Sequence, residues 1–258
     1  VRHKLLFDAG PEGDLLVRNC KSLGVDLTDV EEVAISHGHW DHMGALLAML
    51  KEITVNDRRV KCHVNPDMFV ERGARLSDGS VTPFEKVPTP EMLSQQGADV
   101  VNDYSERKIL EDFFYISAEI PRVTKFEKGR IDHLSRHSEK QEWQPDPLLI
   151  DERYLAVHLR EKGMIIFSSC SHAGIINVLH DVKSKFKDVP IYCIFGGLHL
   201  VGSLEQIIPV TIEQLKTFKP SQIVPAHCTG WRAAVALVNA FGEDVVVPSA
   251  VGSKYTFQ

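Results

Sequence analysis

The chain has no apolar run near the ~18 to 20 residues that a membrane span needs, and no short apolar leader behind a basic start. No membrane partner is expected. Its Lys and Arg are dispersed and the formal net charge is −6, so it has no basic stripe to make nucleic acid a partner. Cys-x-x-Cys is absent. The five cysteines, Cys20, Cys62, Cys170, Cys193 and Cys228, are an odd and widely spaced set, which reads as thiols in a reducing, cytoplasmic compartment. A Gly-x-Ser-x-Gly elbow and a phosphate-binding P-loop are also missing, leaving serine-hydrolase and nucleotidase readings without support. There is no internal repeat and no low-complexity tract.

The remainder is ordinary for a soluble globular protein: 258 residues, 43% hydrophobic and 25% charged, enough to bury a large core. The partner such a composition leaves open is a small-molecule substrate; it does not set the oligomeric state. Lys4–Gly10 reads as a buried strand ending in a turn. It begins so soon after Val1 that the chain looks as if it starts in mid-fold. Leu15, Leu16, Asn19, Cys20 and Leu23 then recur at helical spacing, with Asp14 as N-cap and Gly24 as C-cap. A strand over Glu32–Ser36 and an apolar helix from about Met43 to Leu50 follow, giving an α/β rhythm. Residues 65–144, rich in proline, break it and read as an elaboration or lid on a single domain spanning 1–258. Within them Ile120–Phe126 alternates like an edge strand, which Pro121 suits.

His37-Gly38-His39-Trp40-Asp41-His42 places four metal-capable side chains in six residues. In an extended segment positions 37, 39 and 41 share one side, and a helix starting near Asp41 would turn His42 the same way. Imidazoles with a carboxylate suit zinc, with manganese or ferrous iron as alternatives. The second half repeats one physical event. Met164–Phe167 leads into Ser169-Cys170-Ser171-His172-Ala173-Gly174, and Gln222–Val224 into Pro225-Ala226-His227-Cys228-Thr229-Gly230, each before a helix. Ligands gather at the carboxyl ends of strands in such sheets. The helix after Gly174 also offers backbone N–H groups to a phosphate.

These motifs, with Leu6-Phe7-Asp8-Ala9-Gly10 before them and Gly196-Gly197-Leu198-His199-Leu200 between, resemble the metallo-β-lactamase superfamily. They are most similar to its branch of metal-dependent hydrolases, β-lactamase superfamily II. That branch includes the 7,8-dihydropterin-6-yl-methyl-4-(β-D-ribofuranosyl)aminobenzene 5'-phosphate synthases. The resemblance implies an αββα sandwich, here possibly lacking the usual N-terminal strand or strands, and a dinuclear site. His37, His39 and His172 would hold one metal, and Asp41, His42 and His227 the other. Asp8 would orient a ligand histidine, and His199 would lie at the mouth as a hydrogen-bonding or acid group. The superfamily's bridging aspartate has no counterpart; Cys170 stands nearest to its place, either as a ligand or as a buried thiol.

The expected chemistry is hydrolysis of a small phosphorylated or ester-containing metabolite by water activated on one or two divalent ions, with Asp41 accepting a hydrogen bond from it. Three alternatives stay open: a pterin-phosphate synthase-type transferase, a mononuclear iron dioxygenase, and a catalytically silent metal-binding or ligand-sensing relative. His3, His63, His133, His137, His158 and His180 have no motif context and no assigned role.

Overall fold

The computed structural model describes residues 2–257, which form two compact units. The first takes the chain up to Ser105 and then Arg130–Asp151; the second takes Glu106–Gly129 and the chain from Glu152 onward. Among the described residues no helix is long and apolar enough to cross a membrane.

In the first unit four parallel strands lie in the order Leu5–Phe7, Glu32–Ala34, Val60–Val64, Ala98–Asn102. Leu6, Val33, Cys62 and Val100 stand in register. Glu32–Ala34 is buried throughout, as central strands of a parallel sheet are, and its Val33 shares a core with Met43, Leu46, Leu50 and Ile53. The expected Met43–Leu50 helix is two: Trp40–Met43, which carries Asp41 and His42, and Leu46–Ile53. The first helix spans Gly13–Ser22. Its N-cap is Glu12 rather than Asp14, which sits inside the first turn, where a carboxylate favours the positive end of the helix dipole. A smaller antiparallel sheet orders Gln144–Pro145, His133–Arg136, Glu71–Arg75 and Val81–Pro83.

The second unit is built on six strands in the order Gln222–Pro225, Ile191–Gly196, Gly163–Ser168, Leu155–Leu159, Phe114–Ile116, Arg107–Ile109. The first three are parallel, with Ser168, Gly196 and Pro225 in register. The segments that follow these strands, carrying Cys170 and His172, His199, and His227, therefore leave from one edge of one sheet. Helices Ile175–Lys185, Ile208–Phe218 and Trp231–Phe241 bury Ile176, Val178, Leu215 and Leu237 in a core with Ile166 and Ile194. The stretch 65–144 is divided between the units, and Arg107–Ile109 and Phe114–Ile116 are strands of the six-stranded sheet.

Ile120–Phe126 is not a strand. The backbone N–H groups of Val123 and Thr124 both go to the Asn177 side-chain oxygen, at 2.9 and 2.8 Å, and Asn177 in turn donates to the Ala173 carbonyl at 2.7 Å. Donors satisfied by a side chain cannot join a ladder. The buried Glu127 completes the lock: its carboxylate accepts from the N–H groups of Ile176 and Asn177 and from the Thr124 hydroxyl, each at 2.9 Å. The N–H groups at the start of the 175–185 helix that were expected to suit a phosphate are thus occupied by the chain's own carboxylate. Burial pushes the Glu127 carboxyl up, against the pull of those hydrogen bonds.

Removing that acceptor would leave buried donors unsatisfied, at roughly 1–3 kcal/mol for a lost partner. Glu127→Ala should therefore lower unfolding stability in urea by about 2–3 kcal/mol, with Glu127→Gln losing less. A Glu127→Ala protein as stable as the parent would show that the lock contributes nothing.

Candidate metal centre

In the first unit the ligand state of two histidines, His42 and His37, follows from one carboxylate. Asp8, at φ +62, accepts the Ser36 backbone N–H at 2.8 Å on one oxygen. Its other oxygen accepts the Ser36 hydroxyl at 2.8 Å and His42 Nδ1 at 2.7 Å. A carboxylate only accepts, so Nδ1 of His42 carries the proton and Nε2 keeps a lone pair, 3.6 Å from an Asp41 oxygen. The Ser36 hydroxyl has spent its proton on Asp8, so at 2.8 Å from His37 Nδ1 it must accept from that nitrogen. His37 Nε2 is then also a lone pair.

His39 reaches the same state by another route. His133 Nδ1 lies 3.0 Å from the Asp146 carbonyl, to which it can only donate, so its Nε2 accepts from His39 Nε2 at 2.9 Å. That leaves His39 Nδ1 without a proton. Burial, with the Arg72 charge adding to it, pushes the His133 imidazole down to about 3, which keeps it neutral. Two lone pairs, His37 Nε2 and His39 Nδ1, consequently face each other across 3.1 Å. Like poles at that distance need a cation between them, so the arrangement fits a divalent ion bound by neutral imidazoles.

The loop is held from below. Gly38 N–H donates to Asp151 at 2.8 Å, and Asp151 takes Arg72 at 2.5 Å on its other oxygen. A Cβ at position 38 would lie 2.1 Å from the Met68 carbonyl oxygen, so only glycine fits.

In the second unit Glu152 plays the corresponding part, accepting the N–H groups of His172 and Ala173 at 2.8 and 2.6 Å. The ligand atoms of Cys170, His172 and His199 lie within 4.8 Å of one another, as do those of Cys170, His227 and Cys228. Ser171, His199 and His227 all have positive φ, a cost of about 1–3 kcal/mol each that surrounding structure must impose. His199 Nδ1 is buried with no hydrogen-bond partner among the described residues. The Cys228 thiol is held down to about 4, chiefly by a hydrogen bond from Cys170, with burial opposing and His199 and His227 assisting. No disulfide joins any of the five cysteines.

Each unit thus gathers its own share of the expected residues: Asp8, His37, His39, Asp41 and His42 in one, Cys170, His172, His199 and His227 in the other. Sequence reasoning missed His133, Asp151, Glu152 and Cys228. Only Cys228, beside His227 in the motif, carried a local signal.

A cleft of about 420 Å³ in the first unit is walled by His39, Trp40, Phe84, Arg136 and Trp143 among others. The His39 and His133 rings both meet Phe84, at 5.7 and 5.6 Å between centroids, and Arg136 stacks 4.4 Å over Trp143. Glu71, Glu85 and Glu139 balance Arg72, Lys86 and Arg136, so the cleft is no anion cradle.

The sequence pattern of the metallo-β-lactamase superfamily matches residues 2–97. The crystal structure of Tm1679, titled a metal-dependent hydrolase of the β-lactamase superfamily, aligns with a TM-score of 0.76 at 23% identity, over 98% of this chain and 89% of that one. The chain is similar to the metallo-β-lactamase superfamily over residues 2–97. Its fold is the metallo-β-lactamase fold of that neighbour. A curated relative from Methanocaldococcus jannaschii is 27% identical over 248 residues, covering 95% of this chain and 81% of its own. It is named 7,8-dihydropterin-6-methyl-4-(β-D-ribofuranosyl)-aminobenzene-5'-phosphate synthase. An uncharacterised protein of the same archaeon is 26% identical over 91% of this chain and 82% of its own length. The expectation of a hydrolase is corrected by these relatives. The named one is a synthase, and likeness to Tm1679 at 23% identity speaks to fold alone.

If Asp8 sets the tautomers, Asp8→Asn should weaken metal affinity about 10–100-fold in competition with a chelator, the usual cost of losing such an orienting partner. His37→Ala and His39→Ala should each lose metal and thermal stability together. Unchanged affinity in Asp8→Asn would reduce Asp8 to a turn residue.

Proposed function

We propose that this chain is a metal-dependent transferase of the pterin-phosphate synthase type, joining a dihydropterin carried on a phosphate ester to an aminobenzene ribofuranosyl phosphate. The observation that carries this reading is the named synthase's similarity along 95% of the chain. The aromatic cleft beside His39 supports it, since Trp40, Phe84 and Trp143 offer stacking area to a flat heterocycle while its balanced charge favours no simple anion.

The metal ligands in this proposal are His37, His39, Asp41, His42, His172 and His227, with zinc as the preferred ion and two ions per chain. A bound divalent ion supplies positive charge to stabilise a departing phosphate. The protein's own groups do the rest. Asp8 and His133 fix the tautomers of the imidazoles, the stacked walls orient the ring and keep water from its reactive carbon, and Asp41 and His199 move protons. In the step itself the carbon–oxygen bond to phosphate breaks, its electron pair leaving with the phosphate. The same carbon bonds to the acceptor, which gives up a proton.

Metal-loaded protein given the phosphorylated dihydropterin and the aminobenzene acceptor should release phosphate and the joined product in equal amounts, resolved by chromatography. Phosphate released without the acceptor would sink the transferase reading. Phe84→Ala and Trp143→Ala should raise KM for the pterin about 2–10-fold each, the worth of one aromatic stack, with kcat little changed. Unchanged KM in both would move the ring out of this cleft.

A further inference from the structure

We infer that the second unit carries a thiolate metal site in which Cys170 and Cys228 are ligands together with His227, so that this chain selects a thiophilic ion such as zinc over manganese or magnesium. The proposal goes beyond the transferase reading, with which it shares His227, and its test reads sulfur ligation rather than turnover.

The geometry begins at the sheet edge, where Ser168, Gly196 and Pro225 end in register. The segments that follow are fastened to each other. Gly197 N–H donates to the Ser169 carbonyl at 3.0 Å, and Ala226 N–H to the Gly196 carbonyl at 2.8 Å. The Thr229 hydroxyl accepts from Leu198 N–H at 3.1 Å and donates to the Gly196 carbonyl at 3.3 Å. Three segments distant in sequence are thereby held at hydrogen-bonding distance before any ligand arrives.

His227 and Cys228 are chain neighbours, and in an extended strand neighbours point to opposite faces. Here both offer ligand atoms to one cluster with Cys170, all within 4.8 Å of one another. The turn His227–Thr229, with His227 at φ +47, makes that possible. An unhelped thiol would not require so strained a backbone. Around a tetrahedral ion, with bonds of about 2.0–2.3 Å, ligand atoms stand about 3.3–3.8 Å apart. The observed limit of 4.8 Å is therefore within reach of small side-chain rotations. Gly197 makes room for the sulfur: a Cβ there would lie 2.7 Å from Cys228 Sγ and 2.4 Å from the Ser169 carbonyl oxygen.

The alternative for a buried Cys170 and a half-buried Cys228 is packing alone. Sulfur ligands decide the metal, because thiolates are soft donors that favour zinc or cobalt over the oxygen-loving ions. They also supply the negative charge that the missing bridging aspartate would have brought.

The test is spectroscopic and needs no substrate. Full-length protein stripped of metal is loaded with Co(II), and the near-ultraviolet sulfur-to-cobalt charge-transfer band is recorded beside the visible bands of a tetrahedral ion. The band is expected in the parent protein. It should fall by about half in Cys228→Ser and in Cys170→Ser, one thiolate each, vanish in the double variant, and persist in His37→Ala. Gly197→Ala, which crowds the sulfur without removing it, should weaken the band as well. Circular dichroism shows which variants are folded, and the parent spectrum decides without them. Cobalt bound by the parent with no sulfur band, or a band unchanged in folded Cys228→Ser, overturns the proposal.

Discussion

The Asp8 carboxylate sets the protonation pattern on which the first unit's ligand cluster depends. Burying a carboxylate is expensive unless its oxygens are satisfied, and here three donors at 2.7–2.8 Å satisfy them. In exchange Asp8 fixes which nitrogen of His42 bears a proton and, through the Ser36 hydroxyl, which nitrogen of His37 does. Histidines left to choose their own tautomers would spend part of their time with a proton where a lone pair is needed. The positive φ of Asp8 is consistent with a residue whose side-chain direction matters more than its backbone comfort.

The backbone of each ligand loop is held by a second kind of acid. Asp151 and Glu152 are neighbours in sequence, yet each serves a different unit. Asp151 takes the Gly38 N–H between two ligand histidines, and Glu152 takes the N–H groups of His172 and Ala173. Loop N–H groups this deeply buried have no water to fall back on. Metal-binding loops need rigidity more than stability, because an imidazole displaced by a fraction of an ångström no longer shares an ion with its neighbours. Arg72 holds Asp151 in place, which is why so large a cation is buried in the smaller sheet's strand Glu71–Arg75.

What could be read from the sequence is what acts locally. The histidine motif, Asp8 ahead of Gly10, and the three strand-to-turn junctions are short-range patterns, and the helix Trp231–Phe241 ends where its periodicity does. The misses share a cause. His133 lies 94 positions from His39, and Asp151 lies 113 from Gly38. A lone His or Asp has no period and no spacing, so its partner exists only once the chain has folded. Ile120–Phe126 failed in the opposite way: the alternation was present, but Asn177 took the hydrogen bonds a strand would have used. Asp14 lost its capping role to the plain fact that the helix begins two residues earlier.

The correction from hydrolase to synthase shows where function resides in this fold. Histidines and a carboxylate holding divalent ions stabilise a leaving phosphate whether water or another nucleophile attacks, so the motif alone cannot choose between them. The choice rests with whatever shields the reactive carbon and presents the acceptor. In the proposed transferase that work would fall, in the first unit, to the proline-rich stretch 65–144. Phe84 and Trp143 flank the cleft, and His133, beside Phe84, is hydrogen-bonded to His39. In the proposed transferase His133 therefore touches both Phe84 of the ring-binding wall and the His39 imidazole. A ligand pressing on Phe84 would meet His133, and a shift of His133 would alter the acceptor that fixes the His39 tautomer, so ring recognition and metal binding would be coupled through a single hydrogen bond.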